Sequence, residues 1–332
     1  MTMIGPPTER ELLDSICGVV ARGHRFLVTA HVKPDGDSIG SQLALAGALR
    51  TLGKEVRIVN RDAAPPALQA FPGVPAIECG SEVDGTFDAV FVLECGDLER
   101  TGLGGLERFT LVNIDHHPGN TMFGAVNWFD DGAAACGEMI FDVIRALGVP
   151  LDAVMATHLY VAILTDTGSF HYSNLSPRTF DICRQLLEAG VDPVGVARTV
   201  FDSTTVGRLR LFGAVMSTLE TDGMGRLATI RLDRAMALAS GGHADDTEGL
   251  INMPLTVREI QAVVFFKEAD GGTFRISFRS KGAIDVGAVA GGFGGGGHRN
   301  AAGCTIAGPL DAVRARVLPL VDEAISRALD GK

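Results

Sequence analysis

The sequence predicts an α/β chain. A parallel, doubly wound sheet is followed by a smaller α+β domain, with the active site in the cleft between them. Three observations carry this. A chain of 332 residues is long for a single core. Its first half alternates short apolar strands with helical stretches, as in a parallel sheet covered on both faces. After about residue 190 the pattern changes to charged, alternating strands and one long closing helix.

The elements follow in order. Glu9 to Val20 reads as a helix stopped near Gly23, and RFLVTAHV (25–32) as a continuous apolar strand. SIGSQLALAGALRTLG (38–53) has helical periodicity, with Ser38 and Gly53 as its expected caps. EVRIVN (55–60), DAVFVLEC (88–95) and TLVNID (110–115) are β-branched strands. Residues 135–190 are mostly helical, in three stretches. A connector follows around 191–205, and 205–220 is one more helix. RLATIRL (226–232), EIQAVVFFKE (259–268) and TFRISFRS (273–280) are strands, and LDAVRARVLPLVDEAISRAL (310–329) closes the chain. The expected division is 1–190, a helical linker 191–220, and 221–332.

Composition narrows the function classes. A net charge of −11 repels a polyanion, so extensive binding of long duplex nucleic acid is excluded. The acidity has a second meaning, because carboxylates gathered around divalent cations form a site that is positive once loaded. Six scattered cysteines without a Cys-x-x-Cys pair argue against a disulfide framework or a zinc ribbon. The start MTMIGPPTERELLD lacks the pattern of a secretory signal, and no apolar run is long enough to span a bilayer. These readings place the chain in the cytoplasm, with no membrane partner.

Four segments carry chemistry. In AHVKPDGDSIGS (30–41) a strand delivers His31, and a Gly-containing turn delivers Asp35 and Asp37. That is a mixed N/O donor set suited to Mn²⁺ or a similar divalent ion; the two aspartates read equally well as a turn and helix cap. In NIDHHPGN (113–120), Asp115, His116 and His117 follow a buried strand. One histidine can ligate a metal while the other reaches substrate, and Asp115 can orient a neighbouring imidazole. In VLECGDLERTG (92–102), Glu94 holds the same strand-end position, with Asp97 and Arg100 beyond it. In ILTDTGSF (163–170), Asp166 ends an apolar helix, where the helix dipole disfavours a carboxylate unless a cation compensates.

The combination is the argument. Open α/β sheets bind ligands past the carboxyl ends of their strands, and three strand ends here bear metal-type residues. Five or six ligands exceed what one ion needs while keeping a place for water. A pair about 3.5–4 Å apart, sharing one carboxylate, fits better and performs hydrolytic phosphoryl transfer. In the second part, GGFGGGGHRNAAG (291–303) joins a glycine run to His298 beside the strand bearing Arg279. Gly295, Gly296 and Gly297 would let backbone amides approach a phosphate. The run lacks the Lys-Ser/Thr ending of a P-loop, which excludes an ATPase.

Asp115-His116-His117, with His31-x-x-x-Asp35-x-Asp37 upstream and Asp166 downstream, resembles the DHH phosphoesterase superfamily. GGGGHRNAAG resembles the DHH-associated domain of one branch. Nearly the whole chain takes part, and the layout is most similar to the bacterial nanoRNase type. The resemblance implies two Mn²⁺ ions, with Mg²⁺ or Co²⁺ as substitutes. His31 and Asp35 would hold one ion, and Asp37, His116 and Asp166 the other. The acid at 94 would bridge them, and His117 would contact the scissile phosphate. Arg279 and His298 would hold the phosphate or base of the substrate. The bridging residue of the family is usually Asp, so Glu94 is a departure, and Asp97 is the alternative bridge.

The implied activity is 3′-5′ exonucleolysis of di- to pentaribonucleotides, removal of the 3′-phosphate from 3′-phosphoadenosine 5′-phosphate, or both. Arg100, Arg279 and Arg299 are candidate phosphate contacts. One Trp and two Tyr leave no aromatic platform, although Phe293 and His298 are candidates for stacking a base. The competing readings are hydrolysis of cyclic or linear signalling dinucleotides, a pyrophosphatase or polyphosphatase, and a catalytically silent nucleotide sensor, which Glu94 alone favours. A homodimer stays open.

Overall fold

The computed structural model describes residues 7–202, 204–242, 247 and 249–330. Residues 1–6, which the leader reading includes, lie outside the described residues. The chain divides into two compact units, 1–203 and 204–332.

Unit 1 runs α1 (Glu9–Arg22), β1 (Arg25–Thr29), α2 (Gly36–Thr51), β2 (Glu55–Asn60), β3 (Glu78–Cys79), β4 (Ala89–Leu93), β5 (Leu111–Asp115) and β6 (Val126–Phe129). It continues with α3 (Cys136–Ala146), α4 (Ala153–Asp166), α5 (Pro177–Glu188) and α6 (Pro193–Phe201). Its described strands form one parallel sheet in the order β3-β2-β1-β4-β5-β6. The chain steps outward from β1 to β2 and β3, then returns to lay β4 on the other side of β1. That reversal opens a crevice at the carboxyl ends of β1 and β4, where ligands bind in such sheets.

Strand alternation sends Phe26, Val28, Phe91, Leu93, Val112 and Ile114 to one face, under the helices. Leu27, Val90, Val92 and Leu111 point the other way, where Val83, Leu103 and Leu106 cover them. Both faces are covered as the apolar strands require, but the second is closed by irregular segments rather than helices. The residues leading into β4 and β5 make 3-10 turns and loops, with no helix of their own.

Helix α2 is buried along almost its whole length, and each fully buried Leu or Ile in it stabilises by roughly 1.5–3 kcal/mol. It lies against α4 so closely that a Cβ at Gly40 would meet the His158 carbonyl oxygen at 2.3 Å. Only glycine allows that approach, which brings Asp37 of α2 toward Asp166 at the end of α4. The capping expectation for α2 is corrected here. Its N-cap is Asp35, whose Oδ1 accepts from the Ser38 amide at 3.0 Å, and Ser38 lies three residues inside. The turn that delivers Asp35 also starts the helix, so the helix begins earlier than the serine suggests. Leu52 is the C-cap, with Gly53 following at φ +75°.

Unit 2 contains α7 (Val206–Met216), β7 (Glu220–Thr221), β8 (Leu227–Leu232), α8 (Arg234–Ser240), β9 (Ala262–Ala269), β10 (Thr273–Ser280), α9 (Val286–Gly291), β11 (Gly296–His298), β12 (Ala301–Ala307) and α10 (Leu310–Asp330). Its described strands follow the order β11-β12-β10-β9-β8-β7, antiparallel except for β8 with β9. Val264, Phe266, Ile276 and Phe278 pack with Val313, Val317 and Val321 of α10. Ile230, Val263 and Phe265 of the opposite face pack with Leu211 and Val215 of α7. Among the described residues, no helix is long and apolar enough to cross a membrane.

Candidate metal centre

Strands β1, β4 and β5 are neighbours, and each delivers a polar residue at or just past its end. His31 follows β1, Glu94 follows β4, and Asp115 closes β5 with His116 and His117 after it. Asp35 and Asp37 enter from the start of α2, and Asp166 from the last position of α4. Three groups of donor atoms result, each with its atoms within 4.8 Å of one another: His31, Asp35 and Glu94; Asp37, His116 and Asp166; Glu94, His116 and His117. Glu94 and His116 each belong to two of them.

Each histidine Nε2 lies close to carboxylate oxygens. His116 Nε2 lies 3.3 Å from Glu94 Oε1, 3.5 Å from Asp166 Oδ2 and 3.8 Å from Asp37 Oδ2. His31 Nε2 lies 3.8 Å from Asp35 Oδ2. Main-chain acceptors set the histidine tautomers. His31 Nδ1 is 2.8 Å from the Val32 carbonyl and His116 Nδ1 is 3.0 Å from the Ala133 carbonyl. A carbonyl only accepts, so each Nδ1 donates; His116 Nε2 then faces the carboxylates, and His31 Nε2 lies 2.8 Å from the Ser38 hydroxyl with Asp35 Oδ2 beyond it, the Nδ1-anchored arrangement of metal-ligating histidines.

The carboxylates are held as firmly. Asp37 is fully buried and accepts from the Cys136 amide (2.7 Å), the Gly137 amide (3.0 Å) and the Ser41 hydroxyl (2.9 Å), so the first turn of α3 grips it. Asp35 does two things at once. Its Oδ1 caps α2 and accepts from the Ser38 hydroxyl at 2.9 Å, while Oδ2 faces His31. Turn shaping and ligation are therefore not exclusive readings of this aspartate.

Glu94 is the exception. Its side chain is fully buried, its backbone sits at φ +61°, and neither carboxylate oxygen has a hydrogen-bond partner; His116 Nε2 has none either. A buried, unpartnered carboxylate costs several kcal/mol unless a charge compensates it. Burial, then the Asp37, Asp35, Asp166 and Asp115 charges, push the Glu94 carboxyl well above its ordinary value. Burial and the Asp37 charge likewise push Asp166 up to about 6. Asp37 is raised by burial although His116 pulls it down. Four acids crowded in this way around imidazole lone pairs are a donor set that fits divalent cations.

Asp97 is placed differently. Its carboxylate accepts from the Arg100 amide at 2.9 Å and caps a 3-10 turn at Leu98–Thr101, and it enters none of the donor groups.

His117 stands slightly apart. Its Nδ1 donates to Asp115 Oδ1 at 2.9 Å, which raises its pKa against the effects of burial and of the Arg100 charge. Burial pushes Asp115 up, but hydrogen bonds from His117 and Asn120 outweigh it and leave its carboxyl below the ordinary value. The hydrogen bond favours the charged form of both partners. Arg100 is exposed.

The remaining predicted residues belong to unit 2. Arg279 and His298 flank Ala301 in one cross-strand row of β10, β12 and β11. Arg279 also lines a pocket of about 520 Å³ with Lys267, Arg275, Ser277 and Asn252. The glycine run is part of the sheet rather than an open loop: Gly296 and Gly297 pair with Gly303 and Ala302. A Cβ at Gly295 would meet the Gly303 carbonyl oxygen at 2.2 Å, and Gly297 has φ +142°, so β12 itself demands glycine there. The Gly295 amide donates to the Ala290 carbonyl at 3.0 Å. Phe293 packs against the unit 2 core with the Arg316 guanidinium 5.6 Å from its ring centre, and Arg299 is exposed.

Sequence reasoning passed over the residues that hold the donors in place. These are the Val32 and Ala133 carbonyls, the Cys136 and Gly137 amides, Ser41, Asn113 and Asn120, while Ser38 was read only as a helix cap. The main-chain groups have no residue-type signature. Asn113 did have one: it is a polar residue two positions before Asp115 in an otherwise apolar strand.

Residues 25–163 match the DHH family, N-terminal domain, and residues 232–327 match the DHHA1 domain. The bifunctional oligoribonuclease and PAP phosphatase NrnA of Thermus thermophilus is 34% identical over 306 residues, 91% of this chain and 90% of its own. The protein of the same name from Bacillus subtilis is 27% identical over 289 residues, 85% of this chain and 89% of its own. An exopolyphosphatase-related protein from Bacteroides fragilis shares the fold, with a TM-score of 0.85 at 24% identity over 99% of this chain and 100% of its own. With both domains matched in order and a full-length relative at 34% identity, the chain belongs to the DHH family, as a hydrolase of phosphate ester bonds.

Proposed function

We propose that this chain is a cytoplasmic, Mn²⁺-dependent two-metal phosphoesterase. It degrades short oligoribonucleotides from the 3′ end and removes the 3′-phosphate of 3′-phosphoadenosine 5′-phosphate. The observation that carries the two-metal reading is Glu94, whose buried carboxylate lacks a partner and belongs to both the His31–Asp35 group and a His116 group. The substrate class rests on relatives named oligoribonuclease and PAP phosphatase.

In this reading His31 and Asp35 hold one ion, Asp37, His116 and Asp166 the other, and Glu94 bridges. When bound, such a pair supplies positive charge to the phosphoryl oxygens and lowers the pKa of a water. The chain's own groups do the rest. The Val32 and Ala133 carbonyls fix the ring orientations of His31 and His116, and the first turn of α3 holds Asp37 in place. His117, its ring held through Nδ1 by Asp115, turns its other nitrogen to the scissile phosphate. Arg100, Arg279 and His298 are the proposed contacts to the rest of the substrate, and β11, with Gly296 and Gly297, is the part of the glycine run proposed to approach a phosphate. The silent-sensor reading drew its support from Glu94 as an oddity, and a Glu94 that shares donors with both groups no longer favours it.

The test is hydrolysis of 5′-labelled di- to pentaribonucleotides and of 3′-phosphoadenosine 5′-phosphate, with Mn²⁺ and then with excess chelator. Stepwise shortening from the 3′ end and release of adenosine 5′-phosphate, both lost on chelation, are expected. No product from either substrate would refute the assignment.

The bridge has its own test. Asp97→Asn keeps a good helix-capping side chain and is expected to leave kcat within about twofold, whereas Glu94→Ala removes the shared donor and reduces turnover by roughly a thousandfold or more. The reverse ranking would make Asp97 the bridge.

A further inference from the structure

Strand β5 ends in a polar network that the metal donors do not use. Asn113 and Asp115 are both fully buried and lie two residues apart, on one side of the strand. Asp115 Oδ1 takes the His117 hydrogen bond, and its Oδ2 accepts from Asn120 Nδ2 at 2.7 Å. The same amide donates to Asn113 Oδ1 at 2.8 Å. Asn113 Nδ2 in turn donates to the main chain at the end of β4, the Val92 carbonyl at 3.2 Å and the Cys95 carbonyl at 3.0 Å. The side-chain Oδ1 of Asn120 accepts from the Met122 amide at 2.7 Å, and Met122 sits at φ +54°. Asn120 therefore ties a strained loop to two strands.

A carboxylate with one anchored oxygen can still swing about its χ2 torsion, whose well is broad. Anchoring the second oxygen fixes the plane of Asp115, and with it the direction of the His117 ring. We propose that Asn120 is a positioning residue for hydrolysis: it holds Asp115 Oδ2, so that Asp115 orients His117, with Asn113 as its anchor in the sheet. The inference rests on the reading of His117 as the phosphate contact. Aspartate at this position would have nearly the same volume, but it would set carboxylate oxygens against Asp115 in place of a donor.

The test uses Asn120→Ala and Asn120→Asp, each alone and combined with His117→Ala. Outer partners of catalytic and metal-site residues typically contribute 10–100-fold. Each single variant is expected to lower kcat on a dinucleotide by about that factor, with KM nearly constant and bound Mn²⁺ unchanged. In the His117→Ala background the same substitutions should cost nothing further, because residues acting as a unit are not additive. In metal-free protein labelled with ¹⁵N-histidine, the Nδ1–H resonance of His117 should shift or vanish in both Asn120 variants. Losses that multiply in the double variants, or a His117 resonance unchanged in Asn120→Asp, would overturn the proposal. Should Asn120→Ala fail to fold, the near-isosteric Asn120→Asp carries the test. A wild-type protein inactive on every short RNA would refute the functional reading alone, since the resonance still decides the positioning claim.

Discussion

Glu94→Gln is expected to abolish hydrolysis and, in the metal-free protein at pH 8.5, to raise the unfolding midpoint. Both effects come from one carboxylate. In the wild-type chain its oxygens are buried, unpartnered and surrounded by Asp37, Asp35, Asp166 and Asp115. Without a cation the group either keeps a buried charge or takes up a proton far from its ordinary range, and each costs stability at alkaline pH. Glutamine has the same shape and does neither, so the metal-free fold should gain about 1–3 kcal/mol, a few degrees for a unit of this size. The loaded enzyme loses instead. The amide cannot supply the shared negative oxygen, and the several kcal/mol that a metal pair contributes correspond to roughly a thousandfold or more in rate. Calorimetry with chelator and a Mn²⁺ assay on the same preparation check both signs. A variant that is active, or less stable than wild type without metal, would contradict the reading.

The second large effect is a reversal of pH dependence. Asp166 is pushed up to about 6 from 3.8, and Glu94 well above its own ordinary value. A raised carboxyl binds its proton more tightly in the folded state than in the unfolded one. The metal-free chain therefore loses stability as pH rises from about 4 through about 6, and continues to lose it as Glu94 titrates. Loading requires the same groups deprotonated, so metal affinity rises with pH and binding releases protons. Between pH 5 and pH 8 the unfolding midpoint should fall in chelator and rise in saturating Mn²⁺. Two parallel melting series measure this, and curves with the same slope would contradict it.

Much of this site is legible in the sequence, because its donors are side chains of distinctive type at the ends of apolar strands. His31, Asp35, Asp37, Glu94, His116 and Asp166 all enter donor groups. What was not legible has physical causes. The N-cap of α2 is Asp35 because the turn closes on the first carboxylate available, three residues before the serine. Strands β11 and β12 were missed because the glycines and alanines prominent in them lack strand propensity; in the fold Gly295 and Gly297 sit where a Cβ would meet the Gly303 and Ala301 carbonyl oxygens at 2.2 and 2.5 Å. The short α6 was read as a connector. The carbonyls that set the histidine tautomers belong to Val32 and Ala133, whose identities say nothing about that role.

The central claim is that two cations sit on either side of Glu94, and anomalous diffraction from crystals grown with Mn²⁺ tests it most directly. The account predicts two anomalous peaks about 3.5–4 Å apart, one against His31 and Asp35, the other against Asp37, His116 and Asp166, with Glu94 touching both. A single peak, or two peaks that leave Glu94 without a metal contact, would contradict it.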